Sequence, residues 1–113
     1  MTSPLVQQAC EYMERHVYVK LDVKAIAAEL KVSVGYLSKI FKRERHCTMS
    51  DYMRAKKIEI ACLMLTNTDQ SIDEIALSLS FCSQSHFGAF FSKAKGCSPS
   101  TFRKLSRLKR KQG

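Results

Sequence analysis

The sequence is poor in several residue types and patterns, and each absence excludes a class of protein. It has no tryptophan, only two prolines and only four glycines among 113 residues. Because glycine and proline are the main residues of turns, their scarcity favours a chain that is mostly helical. No apolar run reaches the length of a membrane span, and no signal peptide is visible. We therefore expect an all-α protein of one-domain size with no membrane partner.

The five cysteines show no spacing that indicates a site. They stand at positions 10, 47, 62, 82 and 97, so there is no CxxC pair, and no two histidines have zinc-finger spacing. The odd number argues against a disulfide framework. We expect reduced thiols that pack as small hydrophobic side chains in a cytoplasmic protein, with no metal and no cofactor. A redox-sensing cysteine is the alternative.

The sequence also lacks any catalytic constellation. His16, His46 and His86 are isolated from one another, and there is neither a glycine-rich phosphate loop nor an HExxH motif. An enzyme is therefore not expected.

Positive charge is abundant but unevenly distributed. The formal net charge is +9, yet six of the 19 basic residues lie in the last eleven positions, which contain no acid. The remainder of the chain carries only +3. Such a balance indicates a polyanionic partner without identifying it, and a solvated basic tail is the alternative interpretation of this segment.

Hydrophobic periodicity and capping residues predict a series of helices. A first helix is expected over 5–17, after Ser3 as N-cap and Pro4. Asp22 and Ser33 can cap two further helices, and a longer helical pattern runs from about 49 to 65. Ser71 with Glu74 forms a capping box, a helix is expected from about 83 to 95, and Ser98 opens a last short helix.

The second half of this pattern repeats the first. Ile26, Ala27 and Leu30 match residues 49 positions later, whereas Leu37 and Phe41 match residues 50 positions later. The offset changes inside the turn between paired helices, where a length change is tolerated. The predicted organisation of 1–113 is a helix-turn-helix subdomain at 5–47, a linking helix at 49–66, a second helix-turn-helix subdomain at 71–108 and a basic tail at 109–113.

A short helix, a tight turn and a second helix with a polar outer face form the plan that places one helix in the major groove of DNA. Two such units imply two groove entries, which must lie about 34 Å apart to reach one face of the duplex. A linking helix of about 17 residues spans roughly 25 Å, so this spacing is plausible once the width of the units is added.

Four stretches carry a family resemblance. They are LDVKAIAAELKVSVGYLSKIFKRE, MSDYMRAKKIEIACLML, SIDEIALSLSFCSQSHFGAFFSK and GCSPSTFRK. The chain resembles the DNA-binding domain of AraC/XylS-type transcription regulators from about Leu21 to Lys104. The resemblance implies seven helices in two subdomains, direct binding to double-stranded promoter DNA and, most often, activation of transcription in bacteria.

The resemblance also assigns contact residues. Those expected to contact bases are Gly35, Tyr36, Ser38, Lys39, Gln84, Ser85, His86 and Ala89. Those expected to contact phosphates are Ser33, Lys42, Arg43, Arg45, Ser83 and Lys93. Side-chain chemistry agrees for the first unit, since a lysine can reach a guanine edge and a serine can hydrogen-bond either base. Because the second recognition helix has shorter side chains, we expect the first unit to supply most of the sequence discrimination.

Three positions depart from the family pattern. His46 stands where the family often has glycine after the first recognition helix, so the first unit is expected to end differently from the second, which has Gly96 there. Ser80 replaces a frequent glycine before the second turn. Lys57 replaces a frequent arginine, which is expected to weaken a bidentate contact or brace.

Alternatives and partners follow from the same features. A helical protein-interaction module with a basic tail is the alternative function, with the five phenylalanines of the second half as an exposed patch, although their helical spacing favours a core. RNA binding is disfavoured because the aromatic-studded sheet of common RNA-binding modules is missing. RNA polymerase is an expected partner. The chain is expected to be a stand-alone member or, more often in this family, a fragment preceded by a sensor or dimerisation domain.

Overall fold

A computed structural model describes the backbone of residues 3–112 and the side chains of residues 3–109. This part of the chain contains seven helices and no strand, which confirms the all-α prediction. The helices are α1 (Pro4–Arg15), α2 (Val23–Glu29), α3 (Val34–Arg45), α4 (Met49–Asn67), α5 (Ile72–Ser78), α6 (Gln84–Lys95) and α7 (Pro99–Gln112). No helix in the described part is both long enough and apolar enough to cross a bilayer.

Most of the helices begin at side-chain caps. The hydroxyl or carboxylate oxygen of each cap accepts a hydrogen bond from a backbone N–H three residues later, which satisfies a donor that the helix leaves unpaired. Ser71 and Glu74 form the full capping box, with Ser71 Oγ 3.1 Å from Glu74 N and Glu74 Oε1 3.4 Å from Ser71 N. The predicted caps with this geometry are Ser3, Asp22, Ser33, Ser71 and Ser98.

The chain divides into two compact units between Lys56 and Lys57, within α4. In the first unit α3 packs against both α1 and α2. Its core contains Met13, Ile26, Leu37 and Phe41, each with at most 1% of its surface exposed. Tyr52 of α4 closes this core with its ring edge-on to Phe41, at a centroid distance of 5.7 Å.

The second unit is built around aromatic side chains. Phe81, Phe87 and Phe91 are buried between α4, α5 and α6, and Phe90 and Phe102 pack against them. The expectation that these residues form a core is therefore confirmed. Lys57 is 6% exposed, and its Nζ lies 5.8 Å from the centroid of the Phe81 ring. Burial lowers the pKa of this lysine.

The turn between the paired helices has the same backbone in both units. Lys31 and Ser80 adopt positive φ angles of 58° and 60°. The N–H of the following residue donates to the carbonyl of Ala27 in the first unit and of Ala76 in the second, at 3.0 Å in each. The family's frequent glycine at position 80 is explained by this φ. Cys82, which is exposed, is the additional residue that changes the repeat offset from 49 to 50.

The expectation that the first unit ends differently from the second is wrong. His46 has φ 60°, ψ 21° and Gly96 has φ 78°, ψ 5°, so both recognition helices end in the left-handed region. The N–H of His46 donates to the carbonyl of Lys42 at 2.9 Å, and that of Gly96 donates to Ser92 at 2.8 Å. Both units therefore keep the C-terminal hydrogen bond of the recognition helix, although His46 adopts a strained left-handed conformation to form it.

The last helix is longer than expected and is attached to the end of α4. Arg103 donates from Nε to the carbonyl of Leu65 at 3.0 Å and from its guanidinium to that of Thr68 at 3.2 Å. Arg107 donates to the same Thr68 carbonyl at 3.1 Å and forms a 2.7 Å ion pair with Asp69. Two arginines of the basic segment therefore satisfy carbonyls at and beyond the end of α4. Residue 113 and the side chains of residues 110–112, which belong to the expected basic tail, lie outside the described residues.

Candidate nucleic-acid interface

Helix α3 is anchored by one buried face and exposes the opposite face. Leu37 and Phe41 are fully buried, Ile40 and Glu44 are half-buried, and the other residues of the helix face solvent. Ser33 caps the helix by accepting from the N–H of Tyr36 at 3.1 Å. All the contact residues that the sequence assigns to the first unit are exposed: Ser33, Gly35, Tyr36, Ser38, Lys39, Lys42, Arg43 and Arg45.

The exposed face of α3 carries the cations Lys39, Lys42 and Arg43, and the one acid of the helix bonds to the beginning of α1. Glu44 accepts a hydrogen bond from the backbone N–H of Ser3 at 2.6 Å, and this bond holds the pKa of its carboxyl below the usual value. Its carboxylate therefore links α3 to the beginning of α1. The exposed cations Lys39, Lys42 and Arg43 are left as the dominant charges of the helix.

Arg45 is held in place by an aromatic ring. Its guanidinium lies 5.2 Å from the centroid of Tyr52, within the range of a cation–π contact. The Tyr52 hydroxyl in turn donates to Glu14 at 3.1 Å, and the same carboxylate pairs with Lys56 Nζ at 3.4 Å. Burial is the main cause that raises the pKa of Tyr52, so the phenol stays protonated. The end of α3 thus presents a guanidinium that contacts the Tyr52 ring.

A shallow depression of about 250 Å³ lies on the exposed side of α3. Tyr36, Lys39, Ile40 and Arg43 line it. Two of these residues supply apolar surface and two supply positive charge, so the depression suits a ligand with an apolar group beside negative or hydrogen-bond-accepting atoms. Ile40, which is half-buried, was not among the residues assigned from the sequence, since its spacing indicates a core position.

Two glycines inside the recognition helices have no structural need to be glycines. A Cβ placed on Gly35 or on Gly88 would meet no heavy atom within 4 Å. Glycine in a helix interior costs about 1 kcal/mol relative to alanine. The packing of the described chain does not account for either residue, which fits the close approach of an external surface.

Helix α6 exposes the contact residues assigned to the second unit, but its face is less charged. Gln84, Ser85, His86, Ala89 and Lys93 are exposed, and Ser83 accepts from the N–H of His86 at 3.0 Å. The His86 ring contacts the aromatic core, at 4.8 Å from the centroid of Phe90 and 5.8 Å from that of Phe81. These contacts orient the His86 imidazole against the core. Gln84 is then the long polar side chain of the first turn that remains exposed without an aromatic contact.

Within the described residues, no three histidine, cysteine or acidic side chains are grouped as a metal site would require. The arrangement is instead two solvent-facing helices, each fixed by a buried apolar face and capped by serine.

This arrangement matches a known family. Residues 26–105 match the family model described as a helix-turn-helix domain. The chain is an AraC-type helix-turn-helix protein. The family prediction made from the sequence is confirmed, and the function of this family is DNA binding and transcription regulation rather than catalysis.

Two curated relatives show how the domain is used in chains of different length. The melibiose operon regulatory protein of Escherichia coli K12 is 34% identical over 105 residues, which are 93% of this chain and 35% of that protein. The chain therefore spans about a third of the length of that relative. The regulatory protein SoxS of Escherichia coli K12 is 27% identical over 99 residues, which are 88% of this chain and 92% of SoxS.

Solved structures give the same fold. The C-terminal domain of AraT, a response regulator from Geobacillus stearothermophilus, is 31% identical with a TM-score of 0.85, over 92% of this chain and 87% of that one. The DNA-binding domain of AdpA, solved in complex with a target DNA, has a TM-score of 0.87 over 98% of this chain and 100% of that one. At 23% identity the AdpA match supports the fold alone.

Proposed function

We propose that this AraC-type domain binds promoter DNA sequence-specifically by inserting α3 into the major groove and α6 into a successive major groove. The observation that carries the proposal is the exposed cationic face of α3, whose opposite face is fixed by Leu37 and Phe41. A helix held in this way can enter a groove about 12 Å wide without rearrangement. In helix-turn-helix docking, the N-terminal residues of the recognition helix contact the base edges.

Roles follow from side-chain length and position. Lys39 is placed to donate to the O6 and N7 acceptors of guanine, and Ser38 to donate to or accept from a neighbouring base. Gly35 allows the duplex to approach the backbone of α3. Lys42, Arg43 and Arg45 contact phosphates, and the capping hydroxyls of Ser33 and Ser83 keep a proton to donate to a phosphate.

The second unit contributes less discrimination. Gln84 is suited to adenine, Ser85 to either base, and the methyl of Ala89 to an apolar contact with thymine. His86 contributes from the position that its aromatic contacts define, and Lys93 contacts the backbone. We propose that the half-site bound through Lys39 carries more sequence information than the half-site bound through Gln84.

The wider role is also a proposal. The domain regulates transcription, most simply as an activator that contacts RNA polymerase at a promoter in the bacterial cytoplasm. The length of the melibiose regulator supports a parent chain with a preceding sensor or dimerisation domain, whereas the length of SoxS supports a domain that acts alone.

The test is a fluorescence-anisotropy titration with a duplex selected from a random pool. Lys39→Ala should weaken binding to the selected duplex by about tenfold, which corresponds to one base contact of 1–3 kcal/mol. Lys24→Ala, which removes the same charge from an exposed position on α2, is the matched control and should change affinity by less than about twofold. Equal effects of the two substitutions would refute a base contact at Lys39.

The same assay separates DNA binding from the alternative function. Affinity should fall steeply as salt rises, because phosphate contacts release counterions. Failure to bind any duplex at low salt would favour a helical protein-interaction module.

A further inference from the structure

The contact face of α3 is not uniformly polar. Tyr36 is 52% exposed and Val34 is 40% exposed, although both are large apolar side chains on a helix whose core residues are fully buried. Tyr36 and Ile40 are four residues apart, so they lie one above the other on the same side of the helix. Tyr36 and Ile40 therefore form a small apolar surface beside the cations Lys39 and Arg43.

The depression on α3 combines that apolar surface with two cations. Tyr36 and Ile40 line it together with Lys39 and Arg43. On the proposed function, Lys39 reaches a guanine edge and Arg43 a phosphate. The occupant of the space between them must therefore be a part of the duplex that is apolar, lies in the major groove and is close to both groups.

The major groove offers one apolar group, the C5-methyl of thymine. We propose that the depression bounded by Tyr36 and Ile40 receives a thymine methyl, so that the site bound by α3 contains a thymine within two base pairs of the guanine contacted by Lys39. The range follows from geometry, because residues four apart are separated by about 6 Å along the helix axis and base pairs rise by about 3.4 Å. The inference rests on the proposed insertion of α3 into the major groove.

The ring and the branched side chain have distinct parts in this contact. Tyr36 supplies an exposed ring as the wall, and Ile40 supplies the floor, since its side chain is half-buried. Burying one methyl group in this contact should change the affinity by about fourfold, which is the expected effect of transferring one carbon from water to an apolar contact.

The experiment replaces single thymines by deoxyuridine, which removes the methyl and leaves the base-pairing and acceptor pattern unchanged. Each thymine of a selected duplex is substituted in turn, and the dissociation constant is measured by anisotropy. One substitution in the half-site bound by α3 should weaken wild-type binding by about fourfold. At the same position, replacing T·A by C·G should weaken binding, and 5-methylcytosine should recover part of the loss.

Protein variants assign the methyl contact to the depression. The deoxyuridine effect should disappear in Tyr36→Ala and shrink in Ile40→Val, whereas it should persist in Lys39→Ala and in Tyr18→Ala. Tyr18 is a matched control because it is 55% exposed and lies outside α3. Circular dichroism of each variant verifies folding, and Ile40→Val removes only one methyl in case a larger truncation disturbs the core.

The outcomes separate this inference from the proposed function. If no deoxyuridine in the α3 half-site weakens binding, or if the loss is the same in Tyr36→Ala, the methyl contact is refuted while DNA binding stands. If the protein enriches no duplex from the random pool, the proposed function itself fails.

Discussion

His46 and Gly96 have the same backbone conformation at the same point of the two units, yet only one of them is a glycine. A non-glycine residue at positive φ costs about 1–2 kcal/mol of stability. A glycine avoids this strain, but it loses more conformational entropy on folding, which offsets part of the gain. No heavy atom lies within 4 Å of a Cβ placed on Gly96, so the cost there is backbone strain alone.

The prediction at this pair is opposite changes in stability. His46→Gly should raise the free energy of unfolding by about 0.5–1 kcal/mol, and Gly96→Ala should lower it by about 1 kcal/mol. Urea unfolding of the two variants checks both signs. If His46→Gly destabilises the protein, the imidazole makes a stabilising contact that outweighs the strain.

Lys57 gives a second prediction at the residue scale, through its pKa. Burial lowers the pKa of the folded-state ammonium below the ordinary 10.5, so the unfolded state binds more protons in the window between the two values. Stability therefore rises with pH through that window, and at neutral pH the buried charge is unfavourable. Lys57→Met should stabilise the domain at pH 7 by about 1 kcal/mol, with an advantage that shrinks as pH approaches 10.5.

Thermal unfolding of wild type and Lys57→Met across pH 7 to 10 measures this difference. If the difference in stability between wild type and Lys57→Met stays constant across that range, the buried charge of Lys57 is not the cause of the stabilisation. A loss of stability at pH 7 would show that the contact with the Phe81 ring outweighs desolvation.

At the scale of elements, the helices and their beginnings could be predicted from the sequence, whereas their attachments could not. Ser33, Ser71 and Asp22 act through local hydrogen bonds, which span three residues and leave a sequence signature. The bond from Arg103 to Leu65 spans 38 residues and has no such signature. The sequence therefore shows Arg103 and Arg107 only as members of a basic C-terminal segment and does not indicate that they bind the end of α4.

The candidate site shows the same division. Exposure of the assigned α3 residues follows from helical periodicity and was predictable from Leu37 and Phe41. Three other features depend on tertiary packing. They are the contact of Arg45 with Tyr52, the hydrogen bond from Ser3 N–H to Glu44, and the aromatic contacts of His86. The left-handed φ of His46 is indicated only by its repeat partner Gly96, because a histidine gives no such signal by itself.

Arg103 supplies the prediction at this scale. Arg103→Ala removes two hydrogen bonds to carbonyls at and beyond the end of α4 and should lower the free energy of unfolding by about 1–3 kcal/mol. Lys104→Ala, which removes an adjacent exposed charge, is the matched control and should have an effect within about 0.5 kcal/mol. Chemical denaturation measures both, and equal effects would mean that the bonds to Leu65 and Thr68 contribute no net stability.

At the scale of the whole molecule, net charge overstates the number of cations available to DNA. Arg107 is paired with Asp69 and Arg103 is bound to carbonyls, so part of the positive excess of the last eleven residues is already in use. On α3, by contrast, the cations Lys39, Lys42 and Arg43 are exposed to solvent. Each phosphate contact that is removed should reduce the slope of log affinity against log salt by about 1.

This slope gives a direct prediction. Lys42→Ala and Arg43→Ala should each reduce the slope by about 1 and weaken binding to specific and random duplexes by similar factors. Arg107→Ala should leave the slope within about 0.3 of the wild-type value. Anisotropy titrations between 50 and about 200 mM salt provide these slopes. A larger change for Arg107→Ala than for Lys42→Ala would move the phosphate contacts from α3 to α7.

The central claim is that the two units are unequal and that α3 supplies most of the sequence discrimination. Binding-site selection from a random duplex pool tests it most directly when wild type, Lys39→Ala and Gln84→Ala are compared. We predict that the positions whose preference disappears in Lys39→Ala carry more information than those that disappear in Gln84→Ala. Greater information at the Gln84-dependent positions would contradict the claim.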